Sequence, residues 1–207
     1  MQTIDYSDSL VYIVDDEAPL RDAISSLLRS VGMQVAGYGS VADFLAQPRR
    51  EVTSCLLLDV RMPGVSGLDF QAELNREGVA LPIIFMTGHG DIPMSVRAMK
   101  AGAIDFLAKP FRDQDLLDAI HAALATDRER RQRDQASSGI KARYATLTPR
   151  EREIMTLAAR GLMNKQIAGE VGTSEITVKI HRGNAMRKME AKTFADLVRM
   201  AEALGLA

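Results

Sequence analysis

Residues 10–19 read LVYIVDDEAP: five apolar residues run straight into Asp15, Asp16 and Glu17, with a proline closing the stretch. Such a run suits a strand buried on both faces, and the stripe that follows, Leu20, Ala23, Ile24, Leu27, Leu28 and Val31, has the spacing of one helix face. The alternation continues through MQVAGY and VADFLA, SCLLL and LDFQAELNREG, PIIFMT and IPMSVRAMKAG, IDFLA and DQDLLDAIHAAL. The pattern predicts an α/β fold, a doubly wound five-stranded parallel sheet covered on both faces by helices.

That unit does not use up the chain, which has 207 residues, 46% of them hydrophobic, enough for one large core or two modest ones. The formal net charge of -1 hides an asymmetry. Residues 1–126 hold 10 Lys and Arg against 17 Asp and Glu, whereas 127–207 hold 16 against 10. An acidic half joined to a basic half suggests different partners, with nucleic acid the natural candidate for the basic one. The apolar runs fall far short of the roughly 20 residues a membrane span needs. The opening MQTIDYSDSL lacks the order of charges and apolar residues of a signal peptide, so a cytoplasmic location without membrane association is expected. Cys55 is the single cysteine, which excludes an internal disulfide and a multi-cysteine zinc site and leaves it as a small core residue.

Residues 127–145, DRERRQRDQASSGIKARYA, are rich in mixed charge, contain an Ala-Ser-Ser-Gly break and read as a linker whose start extends the preceding helix into solvent. The domains are therefore expected at 1–126 and 146–207. The second domain reads as all helix. Thr148, Pro149 and Glu151 supply an N-cap, a first-turn proline and a capping-box acid, and Gly161 ends that helix. Asn164, then Thr173 or Ser174, then Thr193 are candidate caps for three more helices. The segment NKQIAGEVGTSEITVKIHRGNAMRKM has the form of a helix-turn-helix, with Val178, Ala185, Met186 and Met189 on an apolar face and Lys179, Arg182 and Gly183 on another.

In a doubly wound sheet, ligands gather outside the carboxyl ends of the strands where the strand order reverses. Asp15 and Asp16 end the first expected strand, Asp59 the third and Thr87 the fourth, and Lys109 follows the fifth, so one sheet edge should collect them all. Taken singly, each is ordinary: a strand-end Asp usually caps a turn and a lysine there is usually a surface charge. Together they form a site. Packed carboxylates repel one another unless a cation joins them, and hard oxygen ligands suit Mg2+ or Mn2+. With such an ion, a carboxylate nucleophile, an ammonium and a hydroxyl are the parts of a phosphoryl-transfer site.

The motifs Asp15-Asp16, LLLDVRMPGVSG, MTGHGD and AGAIDFLAKPF resemble the receiver domain of bacterial two-component response regulators, with its flavodoxin/CheY-like fold. The resemblance implies that Asp59 is the phosphoacceptor. It implies Asp16, Asp59 and the Arg61 carbonyl as direct metal ligands, and Asp15 as acting largely through water. Thr87 and Lys109 would bind the phosphoryl group, Phe106 would be the switch aromatic, and the Lys109–Pro110 peptide would be cis. Glu17 is expected to be a first-turn helix acid rather than a primary ligand. LTPRE, GLMNKQIAGEVG, TVKIH and KM resemble the effector domain of NarL/FixJ (LuxR-type) regulators, closest to the FixJ-like branch. That likeness implies base contacts from Lys179 and Ile180, further DNA contacts from Arg182 and Asn184, and a bracing or phosphate-contacting His181. It also implies a last helix pairing two domains through Leu197, Val198 and Ala201.

The expected whole is a phosphorylation-dependent transcription regulator, not a general enzyme. Its expected partners are a sensor histidine kinase, promoter DNA, RNA polymerase and a second copy of itself. A rival reading, a metal-dependent phosphatase using the same nucleophile, needs a second general acid near Asp59 that VRMPG does not offer. A regulator responding to partner contacts alone is the other rival, and the complete set of receiver residues argues against it.

Overall fold

The computed structural model describes residues 8–88 and 92–206. The N-terminal segment before Asp8, and His89, Gly90 and Asp91 of the MTGHGD motif, lie outside the described residues. The chain divides into two compact units, Met1–Arg131 and Gln132–Ala207.

In the first unit, strands β1 (Ser9–Val14), β2 (Gln34–Tyr38), β3 (Thr53–Asp59), β4 (Ile83–Thr87) and β5 (Asp105–Ala108) alternate with helices α1 (Ala18–Ser30), α2 (Val41–Leu45), α3 (Gly67–Arg76), α4 (Ile92–Lys100) and the first part of α5 (Asp113–Ala145). The sheet is parallel in the order β2-β1-β3-β4-β5, so its direction of winding reverses between β1 and β3. The alternation of side chains divides the core in two. Val11, Ile13, Cys55, Leu57, Ile84 and Met86 pack with Ile24 and Leu28 of α1 and with Leu116 and Ile120 of α5. Leu10, Tyr12, Leu56, Leu58 and Phe85 pack on the other face with Phe44, Phe70 and Leu74. Of the expected α1 stripe, Ala23 and Val31 are exposed, because Val31 is already the C-cap residue.

β3 is held at its start by a buried anion. Asp127, 0% exposed, accepts the Ser54 N–H at 2.9 Å and pairs with Arg130 and Arg131 at 2.6 Å each. The charged stretch beginning at 127 therefore starts inside the sheet unit. Nor does Ala136–Ser137–Ser138–Gly139 break the chain: α5 runs through it to Ala145. Serine and glycine cost a helix at most about 1 kcal/mol per residue, which a propagating helix absorbs. Cys55 is fully buried, and burial, followed by the Asp127 charge, pushes its thiol far above the ordinary value, as suits an inert core residue.

The second unit comprises α6 (Pro149–Ala159), α7 (Asn164–Glu170), α8 (Glu175–Lys188) and α9 (Phe194–Ala203), with Ile140 and Tyr144 of α5 packed into its core. Thr148 and Glu151 form a full capping box, Ser174 caps α8 and Thr193 caps α9. Asn164 does not cap α7: Met163 is the N-cap, its N–H satisfied by Gln166 Oε1 at 2.8 Å, while Asn164 Oδ1 accepts from Arg182 instead. Glu151 is 3% exposed and also accepts Lys188 Nζ at 2.6 Å, tying the start of α6 to the end of α8.

Burial alone would raise the Glu151 carboxyl, but Lys188 and the Thr148 backbone and hydroxyl outweigh it and hold its pKa below the usual glutamate value. The unfolded chain therefore binds this proton more readily. The contribution is complete above the ordinary glutamate range and is lost as pH falls through the lowered folded value. Urea unfolding across that acid range should show Glu151→Gln with a flatter loss of stability than the parent chain; equal slopes would show that the pair does not contribute.

Candidate functional site

Asp15, just past β1, and Asp59, the last residue of β3, meet at the point where the sheet reverses. They are 0% and 5% exposed. Lys109, just past β5, reaches across to both: its Nζ donates to Asp15 Oδ2 at 2.8 Å and to Asp59 Oδ2 at 2.9 Å. Burial works against the Lys109 ammonium, but the hydrogen bonds and charges of the two aspartates outweigh it and hold its pKa above the usual lysine value. The backbone helps to fix the acids. Glu17 N–H donates to Asp15 Oδ1 at 2.8 Å, and Arg61 N–H donates to Asp59 Oδ1 at 3.1 Å. Arg21 Nη1 donates to the Asp15 carbonyl at 2.6 Å, its stem lying where a Cβ on Gly37 would come within 3.1 Å of its Cδ. The Lys109–Pro110 peptide is cis, as the resemblance implied.

The third carboxylate of the cluster is Glu17, not Asp16. Oxygens of Asp15, Glu17 and Asp59 lie within 4.8 Å of one another, whereas Asp16 is exposed and outside the group. The chain bends at Asp16, and the Glu17 N–H that donates to Asp15 Oδ1 closes that turn, with Glu17 extended at φ -76°, ψ 92°. Glu17 is the N-cap residue of α1, with no acid in the first turn, and its carboxylate lies 3.7 Å from Lys109 Nζ. This donor set fits Mg2+ or Mn2+: all ligands are carboxylate oxygens, and one ammonium among three carboxylates leaves an excess of negative charge.

Thr87 is fully buried at the end of β4, and its carbonyl accepts Lys109 N–H at 2.7 Å. In register, Phe85 faces Phe106 and Thr87 faces Ala108. Phe106 and Thr87 thus share a sheet face; the Phe106 ring is half-buried, 6.2 Å from that of Phe85. Two constraints escaped the sequence reading, Arg21 and Gly67. A Cβ on Gly67, the first residue of α3, would lie 2.5 Å from the Asp59 carbonyl oxygen and 3.2 Å from the Val60 Cα. The only sequence signal was a glycine where a helix begins.

Of the expected apolar face, Val178 and Ala185 of α8 and its C-cap residue Met189 are fully buried, and Met186 is half-buried. Lys179 is exposed, and Ile180 is 58% exposed. Of the other expected contacts, Arg182 and Asn184 have partners within the unit. Arg182 donates to Asn164 Oδ1 at 3.1 Å and lies 4.2 Å over the Phe194 ring; Asn184 accepts from Arg187 at 3.0 Å; His181 is half-buried. Leu197 and Ala201 are fully buried in their own bundle, leaving Val198 as the half-buried member of that set. The sequence reading also passed over Ile176, 74% exposed and off the buried stripe.

A carboxylate cluster bridged by a lysine at the reversal of a parallel sheet, carried on one chain with a helix-turn-helix bundle, defines a phosphorylation-controlled DNA-binding protein. Comparison with known proteins agrees over both halves. Residues 11–121 match the family described as response regulator receiver domain, and 145–201 match bacterial regulatory proteins of the luxR family. The chain is 54% identical to Nodulation protein W of Bradyrhizobium diazoefficiens, over 96% of this chain and 87% of that one. It is 48% identical to the response regulator protein TodT of Pseudomonas putida, over 95% and 86%. Among solved structures it resembles the response regulator StyR, with a TM-score of 0.85 and 47% identity, covering 94% of this chain and 98% of that one. It also resembles full-length FixJ from B. japonicum, with a TM-score of 0.57 and 38% identity, covering 96% and 98%. The chain belongs to the two-component response regulators with a LuxR-type DNA-binding domain. Among the described residues, no helix is long and apolar enough to cross a membrane.

The contact at Gly67 makes a specific demand on the acceptor loop. Gly67→Ala should lower stability by about 1–3 kcal/mol, the ordinary range for overpacking. It should also slow phosphorylation by acetyl phosphate, because the displaced backbone is that of Asp59. A variant with unchanged urea midpoint and labelling rate would show that the loop yields freely.

Proposed function

We propose that Asp59 is the phosphoacceptor. The observation that carries this reading is its position: 5% exposed at the end of β3, with one oxygen 2.9 Å from Lys109 and its neighbour Asp15 on the same ammonium. An Asp59 oxygen attacks phosphorus, the P–N bond of a phosphohistidine breaks, and the imidazole leaves with the bonding pair. Lys109 offsets charge on the transferring oxygens, and the Thr87 hydroxyl bonds the product, with Phe106 following on the same sheet face. Asp15, Asp59 and the Arg61 carbonyl would hold Mg2+ or Mn2+, with Asp16 or Glu17 completing the set; a divalent ion there supplies further charge neutralisation. The receiver promotes only its own phosphoryl transfer and dephosphorylation.

The assignment extends to the rest of the chain. The receiver, expected at 1–126, extends to Arg131; the rest of the expected 127–145 linker is the continuation of α5, and 146–207 form the DNA-binding domain. A sensor histidine kinase supplies the phosphoryl group, phosphorylated chains pair, and the complex acts on promoter DNA and RNA polymerase. Kinship with TodT and FixJ supports these partners. α8 is the recognition helix: Lys179 and Ile180 meet DNA directly, whereas Arg182, His181 and Asn184 support the helix. Val198 is the member of the α9 set still available to a second copy.

Incubation with phosphoramidate and Mg2+ should add one phosphoryl group to the chain, detected by mass spectrometry, and Asp59→Asn or EDTA should abolish the addition. Equal labelling of Asp59→Asn would place the acceptor elsewhere.

Two basic residues of α8, Lys179 and Arg182, should separate. Lys179→Ala should weaken DNA binding with little change in thermal stability; a uniform loss across sequences, with a salt slope reduced by about 1, marks a phosphate contact, and relaxed specificity marks a base contact. Arg182→Ala should instead destabilise the unit by about 1–2 kcal/mol through its lost hydrogen bond and ring contact. An unchanged melting temperature for Arg182→Ala would remove its supporting role.

A further inference from the structure

The outward face of α8 carries two exposed isoleucines among its cations, where a nucleic-acid-binding helix is usually polar. Ile176 and Ile180 are one turn apart, and they are 74% and 58% exposed, although isoleucine is among the residue types most often buried. Lys179 lies beside them. One turn further along that face is Gly183, exposed, with nothing within 4 Å of where its Cβ would stand, so the backbone there can approach a surface closely. The bundle does not use these isoleucines, because Val178, Ala185 and Met189 fill its core from the opposite face.

In the major groove the exposed apolar group presented by base pairs is the 5-methyl of thymine. We propose that Ile176 and Ile180 read thymine methyls on neighbouring base pairs, giving this chain an apolar sequence readout beside the polar one of Lys179. The inference rests on α8 being the recognition helix. The span is suitable: four residues of helix advance about 6 Å, and duplex base pairs step about 3.4 Å per strand. The two side chains therefore cover positions within about two steps of each other. Neither side chain can hydrogen-bond a base edge, so removal of the methyl alone should be felt.

The test uses a duplex selected from a random-sequence pool by the full-length chain phosphorylated with phosphoramidate. Each thymine is then replaced singly by deoxyuridine, which deletes the methyl and keeps every base-pairing group. Two positions per half-site should each lose about fourfold in affinity, the value of one buried methyl. Ile176→Ser, at an exposed site, should abolish the sensitivity at one of them and Ile180→Ser at the other. A selected site insensitive to every deoxyuridine overturns the proposal, as does sensitivity that persists in both variants. Lys179→Ala on the same duplex separates the two readings: if it weakens binding while deoxyuridine does not, methyl readout alone fails. If neither change alters affinity, the assignment of α8 fails with it.

Discussion

One ammonium joins two buried acids of the receiver, Asp15 and Asp59. Asp15 and Asp59 come from strands that are neighbours in the sheet but distant in the chain, and each would repel the other without a cation between them. Lys109 arrives from the edge strand two places away, so the bridge ties β1, β3 and β5 together at one end. The surrounding loops serve that bridge: Arg21 holds the Asp15 carbonyl, Arg61 N–H holds an Asp59 oxygen, and Gly67 lets α3 begin against the Asp59 backbone. An acidic pocket that relies on one lysine is left with unneutralised charge, which is the condition for a divalent ion to bind.

The helical unit follows a different logic. Its stability comes from short helices whose ends are individually satisfied, by Thr148 with Glu151, by Gln166, by Ser174 and by Thr193 with Asp196. Its long polar side chains then cross between helices: Lys188 to Glu151, Arg182 to Asn164 and Phe194. The positive charges that remain outward are consequently fewer than a count of α8 suggests.

Much of this architecture was legible in the residues. The two-residue alternation of the strands, the strand-end placement of Asp15, Asp59, Thr87 and Lys109, and the Thr148 and Thr193 caps follow from local pattern and chain direction, while the same pattern narrows the α8 cap only to Thr173 or Ser174. What escaped depends on tertiary contact. Glu17 and Asp16 are adjacent exposed acids, and only the turn after β1 places the Glu17 carboxylate near Asp15 and Asp59. Arg182 reads as a surface cation until Phe194 and Asn164 are seen beneath it. Leu197 and Ala201 have a spacing that fits either a partner or their own bundle, and packing chose the bundle. Asp127 sits in a run of charges that composition marks as solvated, yet its partner Ser54 is 73 residues away in sequence.

That last contact bears on what the receiver can do once it is charged. β3 has an acid holding each end, Asp127 on the Ser54 amide at its start and Asp59 on Lys109 at its finish. A strand fixed at its origin and paired on both sides cannot slide, since a one-residue slip would turn every core side chain to the wrong face. Extra bulk and charge at Asp59 must therefore be accommodated sideways. Beyond β4, β5 is paired along one side only and carries the half-buried Phe106, so the compliant part of the sheet is its edge rather than its centre.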